Sequence, residues 1–169
     1  MNTPLDLSIQ YACDTTKFDL QAWPIKQWVK HTLAGAFHDE QCPSLPFPAQ
    51  AELTIRIVDE LEGQQLNQLY RHKEKATNVL TFAYEASPNG LLHADIVLCL
   101  PVVVTEAQKQ RKTLVDHAAH LVIHGVLHAL GYDHNNDVEA QHMETLEIQL
   151  LKNLNIANPY QTDATTGGT

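Results

Sequence analysis

Three histidines and a glycine, closely spaced, carry the chemistry this chain could do. His124, His128 and His134 fall at H-x-x-x-H-x-x-G-x-x-H, with Gly131 between the second and third. On a helix, residues four apart project from one face a single turn apart, so His124 and His128 can share one metal ion. Gly131 permits the left-handed or tight turn that ends a helix, after which the chain can fold back and bring in His134 as a third ligand. Three imidazoles suit Zn²⁺, one ion per chain, although ligand type also admits Ni²⁺, Cu²⁺ or Fe²⁺. A structural zinc usually has four protein ligands, whereas a catalytic one keeps a position for water, so three histidines point to catalysis. Such an ion lowers the pKa of its water from near 16 to about 7. Cys99 is available as a fourth ligand, but its spacing does not support that role. Asp133, beside His134, is a candidate for holding an imidazole in the ligating tautomer, or else a plain turn residue.

The chain has 10 histidines in 169 residues, so chance spacings must be weighed. His120 and His124 are also four apart, and an isolated pair of that kind is weak evidence. His31, His38, His72, His93, His117, His120 and His142 read as surface or packing residues. Away from the histidines, Arg71, His72, Lys73 and Lys75 concentrate positive charge in an otherwise acidic chain. Arginine offers a planar, permanently charged fork for phosphate. The rival reading is a solvated loop whose charges pair with Glu74 and Glu85. Lys109, Arg111 and Lys112 form a second short basic run that reads as a solvated helix face.

The elements that must position these groups follow from periodicity. Leu5–Tyr11 alternates as a strand, and Ala22–Phe37 carries helical spacing with Pro24 in its first turn. Residues 39–50 hold three prolines and read as a loop. Leu53–Val58 alternates again, and Asp59 with Glu62 starts a helix reaching about Tyr70. Arg71–Thr77 reads as a loop and Asn78–Tyr84 as a strand. A turn over Ser87–Gly90 leads into a strand over Leu92–Leu98. One or two helices are expected between Val103 and Leu130, and a last one from Asp137 to Leu154. Strands gather in the first hundred residues and helices in the last seventy, which predicts an α+β fold with the metal-binding helix in the C-terminal half. One domain over 1–157 is expected, with 158–169 a disordered tail that has nothing to bury.

Bulk properties narrow the classes. The net charge of −9 and pI near 5.4 argue against general nucleic-acid binding, which normally needs a basic surface. Cys13, Cys42 and Cys99 are odd in number and widely separated, so neither a disulfide framework nor a cysteine zinc site is indicated. No signal peptide and no membrane span is visible, and the expected location is cytoplasmic.

The histidine spacing resembles the metzincin metalloprotease pattern at every position but one. Gly125 stands where those enzymes carry the glutamate that takes a proton from the zinc-bound water. The metal geometry is there without the usual base, which points to a hydrolase other than a protease. Any base must come from elsewhere in the fold or from the substrate. A phosphodiester can also be cleaved largely by electrostatics, with the metal and a cation stabilising charge on the phosphoryl oxygens.

The block HGVLHALGYDH, followed by Glu139, Met143 and Glu147, closely resembles the YbeY family of rRNA-maturation endoribonucleases. Residues 70–82, YRHKEKATNVLTF, resemble that family's Y-R-x-K-x-x-x-T-[DN]-V-L-S-F segment. Ala94–Cys99 resembles its G-D-I-x-I-S strand. The likeness covers about residues 50–155 and departs at Thr81, Ala83, Ala94 and Cys99, none of them a ligand. It implies a zincin-like α+β fold with a central mixed sheet of about four strands and helices packed on it. It also implies a zinc held by His124, His128 and His134, and Arg71 facing the substrate phosphate. His72, Lys73 and Lys75 are then possible RNA contacts. The implied role is zinc-dependent, single-strand-specific cleavage in 16S rRNA 3′-end maturation and ribosome quality control. The implied partners are single-stranded rRNA and proteins of the small ribosomal subunit. Two other readings stay open: a metallopeptidase or amide hydrolase, and a ribosome-associated binding protein with a structural zinc.

Overall fold

A computed structural model describes residues 3–72, 76–85 and 88–161. Within them lie four strands and five helices: β1 (Leu5–Tyr11), α1 (Ala22–Phe37), β2 (Gln50–Val58), α2 (Glu60–Arg71), β3 (Val79–Ala83), β4 (Leu91–Cys99), α3 (Leu100–Lys109), α4 (Leu114–Ala129) and α5 (Asp137–Asn153). The strands form one sheet in the order β1-β2-β4-β3. β1, β2 and β4 are mutually parallel, and β3 runs antiparallel to β4 at the edge. The α+β class and the mixed sheet of four strands therefore hold.

Alternation in the strands assigns the two faces of the sheet. Leu53, Ile55 and Ile57 of β2 and Ala94, Ile96 and Leu98 of β4 join the main core, with Val29 and Leu33 of α1 and Val122 and Val126 of α4. Each such Val, Leu or Ile side chain stabilises the fold by roughly 1.5–3 kcal/mol. On the other face, Val58, Leu80, Val97 and Cys99 make a smaller cluster with Leu66 of α2 and Val102 of α3. α4 is buried on nearly every side, from Ala118 to Ala129. A helix that is apolar almost all round belongs at the centre of a fold. Only a stripe through His120, His124 and His128 is left partly open.

Local signals fix the helix ends. The Asp59, Thr113 and Asn136 side chains accept from the N–H groups of Glu62, Asp116 and Glu139, at 2.9, 3.1 and 2.9 Å. Each meets one of the unpaired donors of a first turn. α3 begins at Leu100, earlier than the Val103 expected, because Pro101 sits in its first turn, where a missing N–H costs nothing. β2 begins at Gln50, three residues before the expected start, as the parallel pairing with β1 continues to Leu5↔Ala51. Ser87 of the expected turn lies outside the described residues. Among those residues, no helix is long and apolar enough to cross a membrane.

The expectation that residues from 158 onward have nothing to bury is corrected for 158–161. These form a turn in which Asn158 accepts from Tyr160 N at 2.8 Å, and the Tyr160 hydroxyl reaches Glu147. An aromatic side chain with a buried carboxylate to meet is enough to fasten the segment. Residues 162–169 of the expected tail lie outside the described chain.

Candidate metal centre

α4 carries His124 and His128 one turn apart, and the way it ends delivers His134. Gly131 has φ +96°, its N–H bonds to the His128 carbonyl at 2.9 Å, and Tyr132 N bonds to the Leu127 carbonyl at 3.1 Å. This pair of bonds is a Schellman motif, the left-handed glycine turn that caps a helix and reverses the chain. The buried Tyr132 side chain then anchors the return. Its hydroxyl donates to Asp39 Oδ2 at 2.5 Å, and the same oxygen accepts from His142 Nε2 at 2.8 Å. Burial, then the bond to Asp39, pushes the Tyr132 hydroxyl well above its ordinary pKa, so it stays a donor. The ligand-capable atoms of His124, His128 and His134 all lie within 4.8 Å of one another, and the trio could hold a metal ion.

The hydrogen bonds of these rings show how well they suit one. His124 Nδ1 meets Glu147 Oε1, and His128 Nδ1 lies 2.9 Å from the Tyr132 carbonyl. A carboxylate and a carbonyl only accept, so both Nδ1 atoms donate and both Nε2 atoms carry lone pairs. Those two Nε2 atoms face each other at 3.0 Å. Two lone pairs so close repel unless a cation lies between them. Two nitrogens at the usual zinc distance in a tetrahedral arrangement are about 3.3 Å apart. The donor set therefore fits a zinc-like ion. Burial, reinforced by the neighbouring His124 and His134, holds the His128 pKa below its usual value, which keeps that ring neutral.

Glu147 is fully buried in α5, with Met143, Leu150 and Leu151 along the same stripe. Burial works to raise its pKa, but hydrogen bonds from His120 and His124 and their charge outweigh it and hold it at about 2. The sequence did contain a signal, since a glutamate interrupts an apolar stripe at helical spacing. Asp133, the candidate imidazole holder, is corrected by the same geometry. Its Oδ1 is 4.0 Å from His134 Nδ1, and its oxygens accept from His134 N and Asn135 Nδ2 at 2.8 Å each. It ties the loop, while Glu147 and the Tyr132 carbonyl orient rings. His120, read as a surface or packing residue, lies within reach of Glu147 and makes a second possible ligand group with His124 and Glu147.

A cavity of about 740 Å³ opens beside the histidines. Tyr70 and Arg71 from the end of α2, Thr81 from β3 and the three histidines line it. Arg71 is exposed and makes no ion pair among the described residues. His72 caps α2 in a left-handed conformation (φ 58°) and is not among the lining residues. Lys73 and Lys75 lie outside the described residues. Cys99 belongs to the smaller apolar cluster, its Sγ 3.6 Å from the Asp59 carbonyl, and takes no part in the histidine group. Met143 is buried within α5 and is part of no turn beneath the histidines.

Gly125 proves to be a packing residue. A Cβ there would stand 2.8 Å from Ile96 Cγ2 and 3.3 Å from Thr81 Oγ1, and Thr81 Oγ1 donates to the Gly125 carbonyl at 3.2 Å. The sheet itself comes up against this helix, so a side chain at 125 would point into β3 and β4.

The family model described as Endoribonuclease YbeY matches residues 10–155. The chain belongs to the YbeY family. A Bordetella pertussis protein named Endoribonuclease YbeY is 48% identical over 160 residues, covering 95% of this chain and 98% of its own. One of the same name from Herminiimonas arsenicoxydans is 48% identical, covering 92% and 95%. Another from Cupriavidus necator reaches 57% over 117 residues, 69% of this chain and 59% of that one. A solution structure of a Thermotoga maritima protein shares the fold at 22% identity and a TM-score of 0.50, covering 92% of this chain and 99% of its own.

Proposed function

We propose that this chain is a zinc-dependent endoribonuclease that cuts single-stranded RNA, with the ion on His124, His128 and His134. One observation carries the reading: the lone pairs of His124 and His128 converge at 3.0 Å, with both Nδ1 atoms already committed, at the wall of a cavity that Arg71 shares. No fourth ligand joins the three histidines among the described residues, which leaves a coordination position for chemistry. Bound there, the ion supplies Lewis acidity at a phosphoryl oxygen and an acidified water. The rest falls to side chains. Arg71 receives the scissile phosphate on its fork and stabilises the charge that builds on the non-bridging oxygens. Glu147 and the Tyr132 carbonyl keep His124 and His128 aimed. Glu147 is buried away from the cavity with both oxygens occupied, so it does not serve as the base. Neither can Gly125.

The names of the relatives support an RNA substrate. Maturation of the 16S rRNA 3′ end, with small-subunit proteins as partners, is the specific role we assign by family. A cytoplasmic location fits the three unpaired thiols. One catalytic domain over 1–157 completes the proposal. The test is cleavage of a labelled single-stranded rRNA 3′-end fragment by wild type and His128→Ala, purified identically, with metal content measured on both. Cleavage by metal-bound wild type alone is expected. Equal cleavage by both proteins, or none by zinc-loaded wild type, overturns the reading.

A further inference from the structure

The turn at 158–161 meets the histidine group through Glu147 and His120, and none of its residues lines the cavity. Its Asn158 carbonyl accepts from Gln161 N at 3.3 Å and its side chain from Tyr160 N at 2.8 Å, which aims the Tyr160 ring back at α4 and α5. That ring stands edge-on to His120, with centroids 5.5 Å apart. Its hydroxyl donates to Glu147 Oε2, while Glu147 Oε1 accepts from His124 Nδ1. His120 Nε2 lies 3.4 Å from both Glu147 Oε2 and the Tyr160 oxygen. Tyr160 does not line the cavity, so it touches no substrate there.

We propose that Tyr160 is a positioning residue, whose hydroxyl fixes the Glu147 carboxylate and through it holds His124 in its metal-ligating tautomer and orientation. The inference rests on reading His124 as a ligand. A glutamate has three side-chain torsions, and with His124 at one oxygen and His120 a long 3.4 Å from the other, the carboxylate is held only loosely about the last of them. The closer bond from the Tyr160 hydroxyl at that second oxygen stops the rotation, and with it the swing of the imidazole. Outer partners of this kind typically change metal affinity or activity by about 10–100-fold. Burial, then the charge of Glu147, raises the phenol pKa, so the hydroxyl keeps its proton to give.

Two substitutions in the full chain separate the hydroxyl from the ring. Tyr160→Phe keeps the ring against His120 and removes the O–H; Tyr160→Ala removes both. Zinc affinity is measured by competition with a chelator, alongside thermal unfolding of the metal-free proteins. We expect Tyr160→Phe to bind zinc about 10-fold more weakly, close to Tyr160→Ala, with its metal-free melting temperature unchanged. A phenylalanine variant that binds zinc like wild type means that the ring merely packs, and overturns the proposal. A second readout needs no ion: the solvent-exchange rate of the His124 Nδ1 proton by NMR in the metal-free protein. Faster exchange in Tyr160→Phe supports the clamp, and an unchanged rate sinks it. Because that arm is metal-free, a wild type that fails to bind zinc would defeat the metal reading while leaving this one decided.

Discussion

Arg71 and Gly125 show what single residues contribute here. Arg71 is a cation lining the cavity the histidines share, and it is not part of the metal group. Arg71→Ala is therefore expected to cut turnover of a single-stranded RNA by about 10²–10³-fold, the usual loss for one charge-stabilising donor. Its metal content should equal that of wild type, and loss of the metal would show that Arg71 has been misassigned. Gly125 bears on the peptidase reading. Restoring the protease-like glutamate by Gly125→Glu should yield no peptidase activity, because its Cβ is driven against Ile96, 2.8 Å away in the core. Overpacking of this kind costs about 1–3 kcal/mol, so the variant should unfold at lower urea. Hydrolysis of a denatured protein by that variant would contradict the geometry.

At the level of elements, the end of α4 is the critical joint. Gly131→Ala places a side chain at φ +96°, with its Cβ 3.0 Å from Pro43 Cβ. A loss of about 1–2 kcal/mol is expected from the left-handed backbone alone. Metal affinity should fall as well, since His134 hangs on that turn; urea unfolding and chelator competition would measure both. Much of this was legible beforehand. β1 and α1 begin and end where their periodicity said, and the H-x-x-x-H-x-x-G-x-x-H spacing marked the trio that the fold gathers. Local sequence carries such signals because residues four apart on a helix are neighbours by construction. The partners of the rings were not legible as partners. Glu147 and Tyr160 meet the histidines across 23 and 40 positions of chain, contacts that only tertiary packing creates. The same holds for Asp39 against Tyr132 and His142. Asp133 was a candidate imidazole holder because it is adjacent to His134, with a plain turn residue the rival reading, and adjacency commits its oxygens to backbone and Asn135.

Across the whole molecule, the titrating groups lean in one direction. Burial lowers the pKa of His117 and of His128 below the ordinary 6.5. As pH falls below that value, the unfolded chain takes up protons that the folded chain refuses, so stability falls. Each histidine contributes a slope of up to about 1.4 kcal/mol per pH unit. Glu147 acts in the same sense lower down: its folded pKa is depressed from 4.5 to about 2, so its contribution is present above 4.5 and lost as pH drops through that window. Urea midpoints of the metal-free protein should therefore decline steadily from about pH 6.5 toward acid; a flat profile between pH 7 and 5 would contradict the burial of these histidines. The contact between Gly125 and the sheet has a consequence for how the cavity takes a substrate. β3 and α4 form two of its walls, and they meet at Gly125, where the missing side chain lets the Thr81 hydroxyl bond to the helix backbone. Close-packed interfaces of that kind do not breathe independently. That side of the cleft is therefore a fixed datum, like the anvil of a gauge, against which a substrate reaching Arg71 at the end of α2 is measured.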